Sequence, residues 1–374
     1  MADAAARSPE DVLRHALIRV AQAAVRDEPI DPASLELDAG AWDAFVDLAE
    51  QHQLAPLARA VLVDDPCALP VTTRRRLDSI ALRERAWRRA RSAALTDVLV
   101  VLRRVSIDPI VLKGAALAWL IYPSPDVRPM NDIDLLVSRD AASTASHALE
   151  AIGFQPGPSP SRPPSRGHHH LPALTRPGAL PISIEVHVDA IDADVPASIA
   201  TDTLTSSPQP FSLDDVTALT LGDRDMLRHL ARHVLQPSWD GRVRLLGIVD
   251  LFRYAAARAT CIDWASLGRD DPFVLNALQC LHHVVPLPPA LAHLAPPPDW
   301  PVPARAGETL RPLRAISMYE DRIEALRGLV VDPPAWWLHA YYGVPLDRSL
   351  GVVRLWRHPR RVADWMRRRM WPGA

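Results

Sequence analysis

The chain has 374 residues, enough for two or three domains, and its 48% apolar and 23% charged composition is that of a folded globular protein. A formal charge of −2 excludes a global field that would draw it to nucleic acid or membrane. No stretch approaches the ~18 uninterrupted apolar residues of a membrane-crossing helix, and the three cysteines (Cys67, Cys261, Cys280) are far apart and lack metal-ligand spacing, so a reducing, cytoplasmic setting is expected.

Residues 1–106 read as helical. Ser8 is a natural N-cap, Pro9 fits the first helical position, and Glu10 and Asp11 put acids in the first turn. Val12, Leu13, Ala16, Leu17 and Val20 follow at helical spacing. A second helix is expected around Trp42, Phe45, Val46 and Ala49. A long one runs from about Thr72 to Arg104, and its many arginines read as a solvated face.

Residues 107–210 change texture. Ile107–Leu112 is a short buried-strand pattern that ends at Lys113-Gly114; Ala115–Tyr122 is helix-like; residues 123–129 form a loop; Asp132–Val137 alternates as a strand does. Asp140 can cap a helix that ends at Gly153, and residues 155–167 read as a loop. His170–Leu174 and Ile182–Val188 read as two strands joined through Pro177-Gly178. From about residue 213 helices return, through a proline-rich crossing at 286–303, to a tail where seven arginines accompany Trp356, Trp365 and Trp371. The expected fold is α+β (α/β): a small mixed β-sheet core at 107–210, flanked by an N-terminal helical region (1–106) and a C-terminal one (211–374) with that basic aromatic tail.

The 42 Lys and Arg residues include a single lysine, Lys113. A lysine kept against an arginine-rich background points to a need for a compact ammonium rather than a planar fork. Gly114 lets an anion approach the backbone at a strand-to-helix turn, where free N–H groups favour phosphate, and Lys113 would neutralise a triphosphate there. Arg128 is a second phosphate clamp. Asp132 and Asp134 alternate on one strand, so their carboxylates project together, an unfavourable pairing unless a cation lies between them. Oxygen ligands suit Mg²⁺. Glu185, at the centre of the apolar run Ile182–Val186, is the third carboxylate, and three such groups can hold two ions about a phosphoryl centre. Each feature alone has a plainer reading: an Asp-x-Asp pair is most often a turn or surface pair, and Glu185 alone could be an edge-strand surface residue. The order of strand, Lys-Gly, helix, Arg-bearing loop, Asp-x-Asp strand, helix and acidic strand favours a site.

The run VLKGAALAWLIYPSPDVRPMNDIDLLV, with Gly153-Phe154 and ISIEVH at 182–187, resembles the uncharacterised bacterial nucleotidyltransferases of the DNA polymerase β-like superfamily. That pattern is a Gly-(Gly/Ser) turn, an Asp-x-(Asp/Glu) pair and a later acidic strand residue, matched here by Gly114, Asp132, Asp134 and Glu185. Ala115 departs from it, standing where many members carry Ser or Gly. The resemblance is strong over 107–190 and weaker in the flanking helices. It implies transfer of a nucleoside monophosphate from an NTP to an acceptor hydroxyl or phosphate, at a centre formed by Gly114, Asp132, Asp134 and Glu185; the residue reading adds two Mg²⁺ ions on the three carboxylates and a nucleotide bound by Lys113, Gly114 and Arg128. The acceptor is open: a small molecule, a peptide, a protein or an RNA. His187, on the face of Glu185, and His170, within the run His168–His170, are acceptor-side candidates; His233 and Asp250 are others. Transfer of another phosphate-linked group such as a sugar uses the same residues. A catalytically silent adaptor of the same fold, binding through the basic tail, is the rival from another class.

Overall fold

Local signals at the start of the chain act as expected. The protein, seen in a computed structural model that describes residues 8–65, 68–157, 169–191, 199–235, 244–296, 333 and 335–370, opens with Ser8 Oγ accepting from Asp11 N–H (3.2 Å). That cap begins α1 (Pro9–Arg26), followed by α2 (Ala41–Gln51), α3 (Ala55–Val61) and the long α4 (Val71–Arg104). Then come β1 (Ile110–Val111), α5 (Lys113–Leu120), β2 (Asp132–Leu136), α6 (Ala142–Glu150), β3 (Gln155–Pro156), β4 (Leu174–Arg176), β5 (Ile182–His187), β6 (Gln209–Leu213) and β7 (Val216–Thr220). Helices α7 (Asp223–Leu235), α8 (Leu245–Ala257), α9 (Trp264–Asp270), α10 (Pro272–His282), α11 (Ala335–Tyr342) and α12 (His358–Met370) complete the described α-helices and strands. The architecture is α+β, as the sequence predicts, and among the described residues no helix is long and apolar enough to cross a membrane.

The described parts of Met1–Glu84 and His233–Arg348 form one compact unit. Within it, Arg253 of α8 grips Asp27, the left-handed residue that closes α1, through two bonds of 2.6 and 2.7 Å, and also donates to Ala24 O. The planar fork matches a carboxylate with both nitrogens, which fixes α8 against the end of α1.

The described parts of Arg85–Arg232 and Ser349–Ala374 form the second unit, which holds a mixed seven-stranded sheet in the order β3-β4-β5-β2-β1-β7-β6. β2 runs parallel to β5 and β1 parallel to β7, while the other neighbours are antiparallel. Ile133, Leu135, Ile184 and Val186 point to one face and join Ala94, Leu95, Val98 and Leu99 of α4 and Ala145 and Leu149 of α6 in the core. Burying each large aliphatic side chain contributes about 1.5–3 kcal/mol. Alternation then sends Asp132, Asp134, Glu185 and His187 to the opposite face.

Several local expectations change. The sheet runs to Thr220, past the boundary drawn at 210, because Phe211, Leu213, Val216 and Ala218 form a hairpin about Asp214-Asp215, with Asp214 left-handed (φ +48°). The strand expected at His170–Leu174 starts at Leu174, and an isolated bridge joins His170 to His187. Gln155 and Pro156, expected in a loop, form the edge strand β3, where a proline's missing N–H is harmless. Asp140 does not cap α6: the N-cap is Ala141, without a side-chain bond, whereas Gly153 does take the left-handed turn after the helix (φ +91°). The arginines of α4 are more than a solvated face. Arg91 is buried over the Trp87 ring, and Arg88 packs 5.7 Å from the Trp119 ring centroid while bonding Asp126 at 2.7 Å.

Asp225, fully buried at the start of α7, accepts from the backbone N–H and hydroxyl of both Thr205 and Ser206 and from Arg228 (2.7 Å). Burial alone would raise its pKa; these donors outweigh burial and hold it below the usual carboxylate range. Asp225→Ala therefore destabilises the protein by about 3–5 kcal/mol in urea unfolding, because five donors lose their acceptor. The contribution of this carboxylate is present above the unfolded-state value of about 3.9 and disappears as pH falls through the lower folded-state value, so the difference between wild type and variant narrows in acid.

Candidate functional site

The site grows from the parallel pairing of β2 and β5. The register sets Asp134 directly beside Glu185, and His187, two residues further along β5, shares the face of Glu185. Neighbouring strands lie about 4.8 Å apart, so side chains on this face must interact. His187 Nε2 sits 2.8 Å from Asp134 Oδ1 and 3.4 Å from Glu185 Oε2. Asp134 and His187 are buried at 2% and 1% exposure; Glu185 and Asp132 are half-buried. Glu185 thus lies on an interior strand between β2 and β4, not on a sheet edge.

Lys113 reaches the same carboxylate: its Nζ donates to Asp134 Oδ1 at 3.1 Å. The lysine stands at a turn with no intervening loop. Leu112 is extended, Lys113 is left-handed (φ +43°), and α5 begins at once. A side chain in that conformation costs about 1–2 kcal/mol, which the ion pair with Asp134 helps to offset. The lysine picked out by composition is therefore a partner of the acidic pair.

These contacts set the charge of each group. Burial pushes Asp134 upward, but the Lys113 ammonium and the His187 imidazole outweigh it and hold the carboxyl well below the usual range. Asp132 is raised, by burial and then by the Asp134 charge, with Lys113 opposing. The His187 hydrogen bond lowers Glu185 against the effect of burial. Burial would lower both Lys113 and His187, yet the carboxylates beside them raise both. The Lys113 ammonium and the His187 hydrogen bond thus stabilise Asp134 as the anion.

Gly114 is needed for steric reasons. A Cβ there would lie 1.8 Å from Arg128 Nη1 and 3.2 Å from Met130 Cβ, so the absent side chain makes room for the Arg128 guanidinium. Arg128 Nη1 also donates to Pro129 O at 3.0 Å. The loop bearing Arg128 is anchored by Asp126, which accepts from Arg88 (2.7 Å) and Arg85 (3.3 Å) of α4. Sequence reasoning missed these two arginines, whose signal is hidden by the arginine-rich composition.

His170 Nδ1–H donates to Leu171 O (2.7 Å), and the rings of His170 and His169 lie 5.3 and 5.4 Å from that of His187. His170 is therefore next to His187, as strand alternation suggests, while His168 and Trp371 lie outside the described residues. His233 and Asp250 belong to the other unit. Asp189 accepts from Ile191 and Ile199 N–H.

The donor set fits a divalent cation. Asp134, Glu185 and His187 each offer a ligand atom, all within 4.8 Å of one another, and Asp132 adds a fourth group on the same face. His187, an acceptor-side candidate in the sequence, lies on the face of Glu185 as alternation predicts and also contacts Asp134.

No curated protein and no solved structure matches this chain. The model of the family described as "Uncharacterised nucleotidyltransferase" matches residues 38–272, more than half of the chain, and its span includes the whole acidic face, the Lys113-Gly114 turn and Arg128. The chain belongs to that nucleotidyltransferase family.

Proposed function

We propose that this protein is a Mg²⁺-dependent nucleotidyltransferase that moves a nucleoside monophosphate from an NTP to an acceptor hydroxyl or phosphate. The observation that carries the reading is the register of Asp134 against Glu185, with Asp132 on the same face and the Lys113-Gly114 turn beside them. The acceptor oxygen bonds to the α-phosphorus as the bridge to the β-phosphate breaks; a hydroxyl acceptor gives up its proton to solvent, and pyrophosphate leaves. Asp132, Asp134 and Glu185 would hold two Mg²⁺ ions, which would supply Lewis acidity for this exchange.

The chain's own residues bind and orient. Asp134, held ionised, would serve as a metal ligand, with Asp132 beside it on the same face. Lys113 moves between two anions: it balances Asp134 before substrate arrives and the triphosphate afterwards, which suits a flexible ammonium better than a fork. Arg128, packed against Gly114 and braced by the loop at Asp126, presents a planar donor set to phosphate oxygens. His170 stays on the acceptor side, fixed by Leu171. A cytoplasmic setting, where NTPs and reduced thiols coexist, suits this chemistry.

Asp132→Asn tests the reading. Incubation with labelled NTPs, Mg²⁺ and cell extract, followed by mass analysis of what gains a nucleotide, detects transfer by the wild type and at least ~100-fold less by the variant. Its thermal midpoint stays within about 3 °C, because the change removes like-charge repulsion from Asp134. Equal transfer by the variant would sink the mechanism; no transfer by either protein would favour the adaptor.

Gly114→Ala separates the nucleotide cradle from the metal ligands. Its methyl group displaces the Arg128 guanidinium, the flexible end of a side chain, so the fold survives. Calorimetry then shows a nucleotide Kd about tenfold weaker, equivalent to ~1.4 kcal/mol. Unchanged affinity would remove Arg128 from the binding site.

A further inference from the structure

The four groups on the acidic face are not equivalent as ligands. Asp132 offers oxygen alone and stands outside the tight group. Asp134 and Glu185 share their space with an imidazole nitrogen: His187 Nε2 is directed at the gap between their oxygens, 2.8 Å from one and 3.4 Å from the other. His187 and Asp134 are nearly fully buried, on adjacent hydrogen-bonded strands, so the three donors are held by backbone register and not by mobile loops. His187 Nδ1 has no hydrogen-bond partner among the described residues, so the polar contacts of the ring there converge on the two carboxylates.

We infer that the two cation positions of this site differ in kind, and that the position formed by Asp134, Glu185 and His187 selects Mn²⁺, or a similar first-row transition ion, over Mg²⁺. The inference rests on the nucleotidyltransferase reading for the presence of cations, and goes beyond it in assigning His187 as a ligand. Mg²⁺ sheds water reluctantly and takes oxygen donors, which suits Asp132 with triphosphate oxygens. Imidazole nitrogen adds more to the binding of the softer transition ions, and affinity for a mixed nitrogen and oxygen site rises along that series. A histidine that merely oriented Asp134 through a hydrogen bond would leave the choice of ion to the carboxylates.

The test uses the full chain without nucleotide. Mn²⁺ is titrated in, free ion is followed by electron paramagnetic resonance, Mg²⁺ is added as competitor, and the spin-echo decay of bound Mn²⁺ is inspected for nitrogen modulation. The expected result is bound Mn²⁺ with nitrogen modulation and at least about a tenfold preference over Mg²⁺. In His187→Gln, checked for fold by circular dichroism, the modulation vanishes and the preference falls to within about threefold, whereas His170→Gln keeps both. Bound Mn²⁺ without nitrogen modulation in the wild type overturns the assignment even if His187→Gln fails to fold, and leaves the nucleotidyltransferase reading standing. Modulation that survives in His187→Gln overturns it too. If the protein binds neither ion, even with an NTP present, both readings fall.

Discussion

A buried carboxylate on an interior strand organises this site. Asp134, at 2% exposure, takes a proton-bearing partner from each side: Lys113 from the β1–α5 turn and His187 from β5. Isolated, such a charge would be very costly to bury. Its partners make it tolerable, and in doing so they determine what surrounds it. The lysine accepts a left-handed backbone to reach it, Glu185 comes alongside through strand register, and Asp132 carries the residual strain of a like charge in the same field. Lys113 and His187 thereby let the carboxylates of this face form part of a stable fold, with their positions fixed by strand register.

The support for this arrangement reaches outward through arginine. Arg88 and Arg85 hold Asp126, Asp126 fixes the loop, and the loop brings Arg128 over the bare Cα of Gly114. On the opposite face of the sheet, α4 supplies apolar side chains to the core that positions β2 and β5. One long helix therefore serves both purposes with different faces of its surface: aliphatic residues toward the sheet, and guanidinium groups toward the loop that approaches the acidic face.

Much of this was legible in the sequence because strand alternation is a strict rule. Asp132 and Asp134 are two apart, Glu185 interrupts an apolar strand, and the Lys-Gly turn precedes both, so their common face follows without knowledge of tertiary structure. What remained hidden depends on distant pairing. Alternation puts His187 on the face of Glu185, but its contact with Asp134 comes from the β2–β5 register, which no local pattern specifies. The β6–β7 hairpin was passed over because the Asp214-Asp215 turn lacks glycine, although Phe211, Leu213, Val216 and Ala218 do alternate. Arg85 and Arg88 could not be singled out in a composition that uses arginine almost everywhere, and the cap assigned to Asp140 failed because a helix can begin without a side-chain bond. Composition singled out Lys113; its observed partner is the Asp134 carboxylate, and the triphosphate is its proposed second one.

The central claim is that these carboxylates form a cation-dependent nucleotide site. Calorimetry of the wild type and Asp132→Asn with NTPs, with and without Mg²⁺, tests it most directly. The account predicts nucleotide binding by the wild type that requires Mg²⁺ and is lost in Asp132→Asn. Binding of equal strength without the ion, or in the variant, would contradict it.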